Sequence, residues 1–337
     1  MGALLGLSLL KFGNPVILDQ LVDKPANWEE IRYQPWPILW GYCLLALVVV
    51  IGGPVTRFRT PLPGWLAWMP LSWLAWQFVA ASQTIDSQLT GAVLLHFAAC
   101  TVWFYLGLLA LSRCRSLTWL WVGLLGGFLG VLWVGLEQHY GGLEATRRLL
   151  QEQTQTQFVS PELMARSQKD RIFGTLFYPN AFAGVLILLL PAMLVYVWEV
   201  SARLGRIPRL VLVGLLAYVA MACLVWSKSK AGWLIVLIQG LIVVHRLPLA
   251  RKWRWLVVSV VVVGGLAGFL VRYSGYFRQG ATSAGARFDY WRAAAQTMAQ
   301  HPFLGTGPGT FGRVYAQIKP KEAEMARLVH NDYLEQG

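Results

Sequence analysis

The chain has 337 residues, of which 56% are hydrophobic and 13% are charged, and its formal net charge is +13. This composition excludes an ordinary water-soluble domain, because one core cannot bury so much apolar surface. The basic residues lie mainly in short loops between apolar runs, so the positive charge indicates orientation in a membrane and not binding of nucleic acid.

Nine apolar runs follow one another along the chain, and each is a candidate membrane-spanning helix. The first lacks the basic start and small-residue cleavage site of a signal peptide, so we expect it to be retained. The fold class predicted from this pattern is all-α, a polytopic transmembrane helix bundle with about nine spanning helices. The runs cover residues 3–10, 36–53, 62–81, 90–111, 117–136, 177–198, 210–226, 231–244 and 256–271.

Alternate loops differ in charge, and this difference predicts the topology. One set is short, basic and almost free of acids, which is typical of cytoplasmic loops. The N-terminus is then cytoplasmic, residues 1–271 form the bundle with an outer loop at 137–175, and residues 272–337 form a periplasmic loop region. The basic set contains Arg57, Arg59, Arg113, Arg115, Arg203, Arg206, Arg209, Arg246, Arg251, Lys252 and Arg254.

The predicted periplasmic region has its own helical pattern. Phe288, Trp291, Ala295 and Met298 form an apolar stripe at helical spacing over residues 287–300, and Pro302 with Gly305 follows as a stop signal. We expect this amphipathic helix to lie on the membrane or on the bundle. A second helix is predicted over residues 321–336, where the chain ends.

Cations on the predicted outer side are the candidates for holding an anion, because the topology rule gathers most Lys and Arg on the other side. Lys228 and Lys230 lie in a four-residue turn between two spanning helices. Their alternative role is to reach lipid phosphate as ordinary interfacial lysines. The full set is Arg171, Lys228, Lys230, Arg272 and Arg287.

Two further segments, one around residues 179–180 and one at residues 330–331, carry candidate residues. Pro179 and Asn180 mark a turn that would aim Arg171 at the bilayer surface, although Arg171 could instead be a solvated residue beside Asp170. His330, followed by Asn331, has the side chain that can remove a proton from a sugar hydroxyl near neutral pH. The alternative for His330 is an ordinary surface histidine.

Other patterns exclude common kinds of site. GPGTFG at residues 307–312 matches a dinucleotide-binding glycine pattern, but no strand precedes it, so it predicts a tight loop. The four cysteines have no paired spacing, and no Asp-x-Asp pair occurs, so neither a zinc site nor another metal site is predicted. His96, inside a predicted span, is expected to be a hydrogen-bonded packing residue.

Three stretches together resemble the O-antigen ligase family of integral-membrane glycosyltransferases, which includes O-antigen polymerases and protein O-oligosaccharyltransferases. They are RIFGTLFYPNAFAGVLILLLP at residues 171–191, SKSKAGWL at residues 227–234, and RFDYWRAAAQTMAQHPFLGTGPGTFGRVY with HNDYLEQG within residues 287–337. The likeness covers roughly the second half of the chain. It departs from the family at Lys230, where arginine is usual, and family members continue into further spanning helices, so we expect the chain to be truncated at Gly337.

The resemblance implies a membrane enzyme of the bacterial inner membrane that uses no metal or nucleotide cofactor. Its partners would be an undecaprenyl-diphosphate-linked glycan as donor, lipid A-core or another hydroxyl as acceptor, and membrane lipid. His330 and Arg287 would be catalytic, Arg171, Lys228, Lys230 and Arg272 would bind the diphosphate, and Asn331 and Asn180 would support them. An O-antigen polymerase, a protein O-oligosaccharyltransferase and, from another class, a lipid-linked sugar transporter stay open as alternatives.

Overall fold

A computed structural model of the protein describes residues 1–16, 19, 22–53, 62–144, 147, 170–176, 178–248, 250–274, 282–320, 323, 325–331 and 334–335. Within these ranges the regular structure is helical and contains no strand, which confirms the predicted all-α class. Twelve α-helices are numbered in chain order: α1 Gly2–Lys11, α2 Trp28–Tyr33, α3 Ile38–Gly52, α4 Gly64–Ala80, α5 Ser87–Leu109, α6 Thr118–Glu137, α7 Pro179–Val200, α8 Arg206–Trp226, α9 Lys230–Arg246, α10 Arg251–Arg272, α11 Thr282–Gln300 and α12 Phe311–Ile318.

Each of the nine predicted spans coincides with a helix, but the helices differ in length. Among the described residues, five are long and apolar enough to cross a bilayer, and short helical turns extend three of them. The other four, α1, α3, α4 and α9, have 10, 15, 17 and 17 residues, fewer than the roughly 20 that a bilayer core requires. Nine spans are therefore not confirmed. The five are Ser87–Arg113, Thr118–Gly142, Pro179–Leu204, Arg206–Trp226 and Arg251–Arg272.

The chain divides into two compact units, each built from separate stretches of sequence. Unit 1 contains Met1–Asn14, Pro25–Trp36 and Thr118–Tyr273. Its core lies between α6, α7 and α8, where Phe128, Phe182, Met193 and Cys223 are completely buried. Large apolar side chains on the inward faces of these three helices thus hold together the part of the chain that carries the candidate residues of unit 1.

Helix α1 packs closely on α6 through small residues. Gly2 and Gly6 lie against Gly123 and Gly127, and a Cβ at any of these positions would overlap the backbone of the opposite helix. Both helices have their glycines four residues apart, so the glycines line one face of each helix and let the two backbones approach. The short α1 is therefore held by backbone contact with α6.

Unit 2 contains Pro15–Lys24, Pro37–Leu117 and Ser274–Gly337. Its glycine-rich loop, residues 305–310, is seated on the start of α5. Thr90 Oγ1 donates to the Pro308 carbonyl at 2.8 Å, and Arg313 Nε donates to Asp86 Oδ2 at 3.0 Å. Gly307 and Gly309 have φ of 95° and 78°, values that side chains disfavour. The predicted tight loop is confirmed, and its glycines serve packing.

Helix α11 ends at Gln300, as the stop signal predicts, but the face that it buries inside unit 2 differs from the predicted apolar stripe. Phe288 is 65% exposed, whereas Tyr290, Ala293 and Ala294 are buried. Tyr290 is buried because the centre of its ring lies 5.2 Å from that of Tyr315 on α12, and this contact turns that face of α11 inward. A pattern based on the largest apolar residues overlooked a tyrosine flanked by alanines.

The second helix predicted in the tail is also wrong over residues 325–331. Residues 325–331 are not helical, and His330 has a φ of 57°, which a helix cannot contain. The remaining positions of the predicted helix include residues 321–322, 324, 332–333 and 336, which lie outside the described residues. The basic loop with Arg57 and Arg59 and most of the predicted outer loop at 137–175 lie outside them too.

Candidate functional site

The turn between α8 and α9, residues 227–230, is held by hydrogen bonds and is called here the serine–lysine turn. Ser227 and Ser229 are buried, and the Ser227 hydroxyl donates to the Leu224 carbonyl at 2.6 Å. The Ser229 hydroxyl accepts from the Gly232 N–H at 3.2 Å and so caps α9. Lys228 stands between them with a φ of 51°. Two structural serines thus hold a lysine in a left-handed conformation at the helix junction.

The guanidinium of Arg171 is hydrogen-bonded to this turn. Its Nε donates to the Ser227 carbonyl at 2.8 Å, and Nη2 donates to Asn180 Oδ1 at 3.0 Å. Burial lowers the pKa of Arg171, and the neighbouring Tyr273 opposes that shift. The structure thus brings Arg171 and Asn180 to the turn that carries Lys228. Their predicted role in binding diphosphate stays a prediction.

Asp170 pairs with a different cation from the one that its sequence position suggests. Its Oδ2 lies 3.3 Å from Lys228 Nζ, and both side chains are substantially exposed. The alternative in which Arg171 is a solvated partner of Asp170 is wrong, because Arg171 is half-buried against Ser227 and Asn180. An exposed ion pair of this kind contributes little to stability, so Lys228 can exchange it for another anion.

Two more cations lie around Tyr273, the residue that follows α10. Lys230 Nζ lies 5.8 Å from the centre of the Tyr273 ring. Burial raises the pKa of Tyr273, while the charges of Arg272 and Arg171 lower it. Tyr273 thus links the positive charges on the serine–lysine turn, the end of α10 and the segment before α7. We call Arg171, Lys228, Lys230 and Arg272 the cation cluster.

Gln138 is a residue of this site that the sequence analysis missed. Its buried side chain donates from Nε2 to the Gly174 carbonyl at 3.0 Å, and its Oε1 accepts from the N–H groups of Phe173 and Gly174 at 3.0 and 2.8 Å. One amide therefore fixes the segment that carries Arg171. The available signal was a polar Glu-Gln pair at the end of a long apolar run.

The other predicted site residues, Arg287, His330 and Asn331, belong to unit 2. His330 is exposed, and its ring centre lies 6.0 Å from that of Tyr290. Tyr290 follows Arg287 by three residues, so the two side chains share one face of α11. The Asn331 carbonyl accepts from Leu334 and Glu335 at 3.1 and 3.0 Å, which starts a short turn after His330. Within unit 2, Tyr290 therefore connects the predicted base with the predicted arginine.

Polar groups within the apolar helices serve packing. His96 Nδ1 lies 3.4 Å from the Tyr42 hydroxyl, and its Nε2 lies 3.7 Å from Cys100 Sγ one turn later. Gln239 donates to the Ile187 carbonyl at 3.1 Å. The prediction that His96 is a hydrogen-bonded packing residue is confirmed. A polar pathway for a transporter gains no support from either group, because both are engaged inside their own unit.

Comparison with known proteins gives one match. Residues 215–336 match the family model of the O-antigen ligases, while no curated protein and no solved structure matches the chain. The match confirms the resemblance seen in the sequence and, with the apolar helices, indicates a bacterial inner-membrane protein. It starts inside α8 and includes the serine–lysine turn and His330. Arg171 lies outside it and is joined to it by the bond to Ser227.

Proposed function

Starting from the O-antigen ligase match, we propose that this chain transfers a glycan from an undecaprenyl-diphosphate carrier to an acceptor hydroxyl, with lipid A-core as the acceptor. The transfer would take place at the periplasmic face of the inner membrane. The observation that carries the proposal is the fixed position of Arg171, which is bonded to the serine–lysine turn and stands next to Lys228.

The proposed reaction is a single displacement. The acceptor oxygen forms a bond to the anomeric carbon, the bond from that carbon to the diphosphate oxygen breaks, and its electron pair leaves with the diphosphate. His330 accepts the proton of the acceptor hydroxyl. His330 is an exposed residue at a left-handed backbone position, and this exposure supports the role.

The cation cluster would act on the leaving group. Negative charge grows on the diphosphate oxygens as the bond breaks, and cations that are already in place lower the energy of that state. Arg171 is well suited to this task because its guanidinium is held by two hydrogen bonds before substrate arrives. Arg287, on the same face of α11 as Tyr290, would contribute a further positive charge beside the acceptor.

Transfer in proteoliposomes tests the proposal. The parent protein, His330→Asn and Arg287→Ala are supplied with a labelled undecaprenyl-diphosphate glycan and lipid A-core, with Arg203→Ala as the matched arginine control. Asparagine tolerates a positive φ but cannot act as a base, so His330→Asn should retain donor binding and lose at least about a hundredfold in turnover. Parent-like turnover of His330→Asn overturns the assignment of His330.

The same assay separates the related activities. Label that appears in longer glycans without lipid A-core indicates a polymerase, and label on an added protein acceptor indicates a protein O-oligosaccharyltransferase. A transporter would move the donor across the bilayer equally well with Asn or His at position 330. These outcomes replace the ligase proposal, since they change the acceptor or remove the transfer step.

A further inference from the structure

Three aromatic rings form an exposed ledge in unit 1. The rings of His139 and Trp226 are stacked with centres 3.6 Å apart and planes at 8°. The Tyr140 ring stands nearly perpendicular to both, with its centre 5.0 Å from that of His139 and 6.0 Å from that of Trp226. Tyr140 is 78% exposed. These three residues are called the aromatic ledge.

The aromatic ledge shares its supports with the cation cluster. Trp226 directly precedes Ser227, whose carbonyl binds Arg171. His139 directly follows Gln138, whose amide binds Gly174 three residues after Arg171. Adjacent Cα atoms are about 3.8 Å apart, so both ends of the ledge begin one residue away from groups that position the arginine. The same two supports therefore hold both Arg171 and the ledge.

The backbone around Tyr140 departs from the helical conformation at the end of α6. The helix is interrupted by a kink within residues Gln138–Gly142, where Tyr140 (φ −94°, ψ 30°) and Gly141 (φ 120°) leave the helical conformation. Among the described residues, no atom lies within 4 Å of the position that a Cβ on Gly141 would occupy. The interruption holds Tyr140 outward from the end of α6.

The chemistry of the ledge fits a sugar ring. Aromatic faces are electron-rich and attract the weakly positive C–H groups on one face of a sugar, while ring edges supply hydrogen-bonding groups for its hydroxyls. Tyr140 offers a hydroxyl and His139 offers ring nitrogens at these edges. An isoprenoid chain has no hydroxyls for such groups. In a lipid-diphosphate glycan the first sugar is bonded directly to the diphosphate, and so it would lie where the ledge begins.

We propose that the aromatic ledge binds the first sugar of the glycan donor, and this proposal rests on the proposed function of the cation cluster. The ledge would select donors by the ring next to the diphosphate. Trp226 would contribute through its stack with His139, and Tyr140 would provide the exposed contact. The ledge would thereby set which lipid-linked glycans are accepted, separately from the positive charges that hold the diphosphate.

Binding of two probes to the protein in nanodiscs tests the ledge. One probe is an undecaprenyl-diphosphate glycan, and the other is undecaprenyl diphosphate without sugar. Tyr140→Ala should weaken binding of the glycan probe about tenfold and leave the bare probe unchanged, because only the sugar contact is removed. Tyr140→Trp should retain glycan binding. Tyr218→Ala is the matched control, since Tyr218 is 73% exposed on α8 and should affect neither probe.

The remaining outcomes overturn the sugar site. Equal weakening of both probes by Tyr140→Ala means that the ledge contacts lipid or diphosphate, and unchanged binding of both means that Tyr140 is an interfacial aromatic residue. Arg171→Ala tests the cation cluster separately, because it should weaken both probes. Arg171→Ala could leave binding of the bare probe unchanged while Tyr140→Ala still weakens binding of the glycan probe alone. That result would contradict the diphosphate site and support the sugar site. Unchanged melting temperatures establish that the variants fold.

Discussion

Arg171 donates a hydrogen bond from Nε to the main-chain carbonyl of Ser227 at 2.8 Å. With the bond from Nη2 to Asn180, this contact engages two of the five N–H donors of the guanidinium. The other three can approach a phosphate oxygen. The arginine is thus a structural element and a source of charge, and these two properties can be separated by substitution.

Replacement of Arg171 by Lys keeps the charge but loses the forked geometry. A lysine ammonium cannot reproduce both hydrogen bonds at their fixed positions, so we expect Arg171→Lys to lower transfer at least about tenfold and Arg171→Ala to lower it further. Turnover and donor affinity in proteoliposomes measure the effect. Arg203→Lys, in an exposed turn after α7, is the control, and equal turnover of Arg171→Lys and the parent contradicts the prediction.

Loss of the Gln138 amide should release the segment before α7. Gln138→Ala leaves the N–H groups of Phe173 and Gly174 and the Gly174 carbonyl without the side chain that pairs them, which we expect to cost about 2–3 kcal/mol of stability. Transfer should fall as well, because Arg171 belongs to that segment. Denaturation in detergent and the transfer assay report the two effects. The exposed Gln296→Ala should change neither, and parent-like stability of Gln138→Ala contradicts the proposed role of the Gln138 amide.

Gly309 should tolerate no side chain. Its φ is 78°, and a Cβ there would lie 2.6 Å from Cγ2 of Val93, so Gly309→Ala should destabilise the protein by about 2 kcal/mol or more. The control is Gly285→Ala in α11, where no atom lies within 4 Å of the Cβ position. That change should be neutral or stabilise the helix by up to ~1 kcal/mol. Similar denaturation midpoints for the two variants would falsify the packing role of Gly309.

Asp86 should make stability depend on pH. Its carboxylate accepts a hydrogen bond from the Leu89 N–H and another from Arg313, and these interactions hold its pKa below the ordinary value. A depressed pKa adds stability above the pKa of the unfolded chain, about 3.9, and this stability is lost as pH falls through the folded pKa. Asp86→Ala should therefore be less stable than the parent at pH 7.

The difference between the parent and Asp86→Ala should shrink when the pH is lowered below about 4. Unfolding midpoints measured over this range check the sign. Asp289→Ala, an acid in α11 for which no such hydrogen bonds are described, is a suitable control. A difference that stays constant with pH would show that Asp86 acts through its shape and not through its charge.

The sequence is sufficient to predict the helical class and the position of every long helix, because apolar runs and their basic flanks are local properties. It also marks Arg171, Asn180 and Lys228 as candidate residues, but their meeting at one turn is seen only in the fold. It fails at Tyr290, Gln138 and His330. The conformations of these residues depend on a ring from α12, on a distant peptide group and on a left-handed backbone, and none of these is a periodic feature.

The separate stretches that make up unit 2 have a consequence for synthesis of the protein. Thr84, Asp86 and Thr90, which receive the glycine-rich loop, leave the ribosome before all of residues 118–273. At usual elongation rates that interval is on the order of ten seconds or more. During this time the polar start of α5 has no native partner from the tail. Final assembly of unit 2 is therefore a late event in biogenesis, and variants in the glycine-rich loop should accumulate as inserted but protease-sensitive chains.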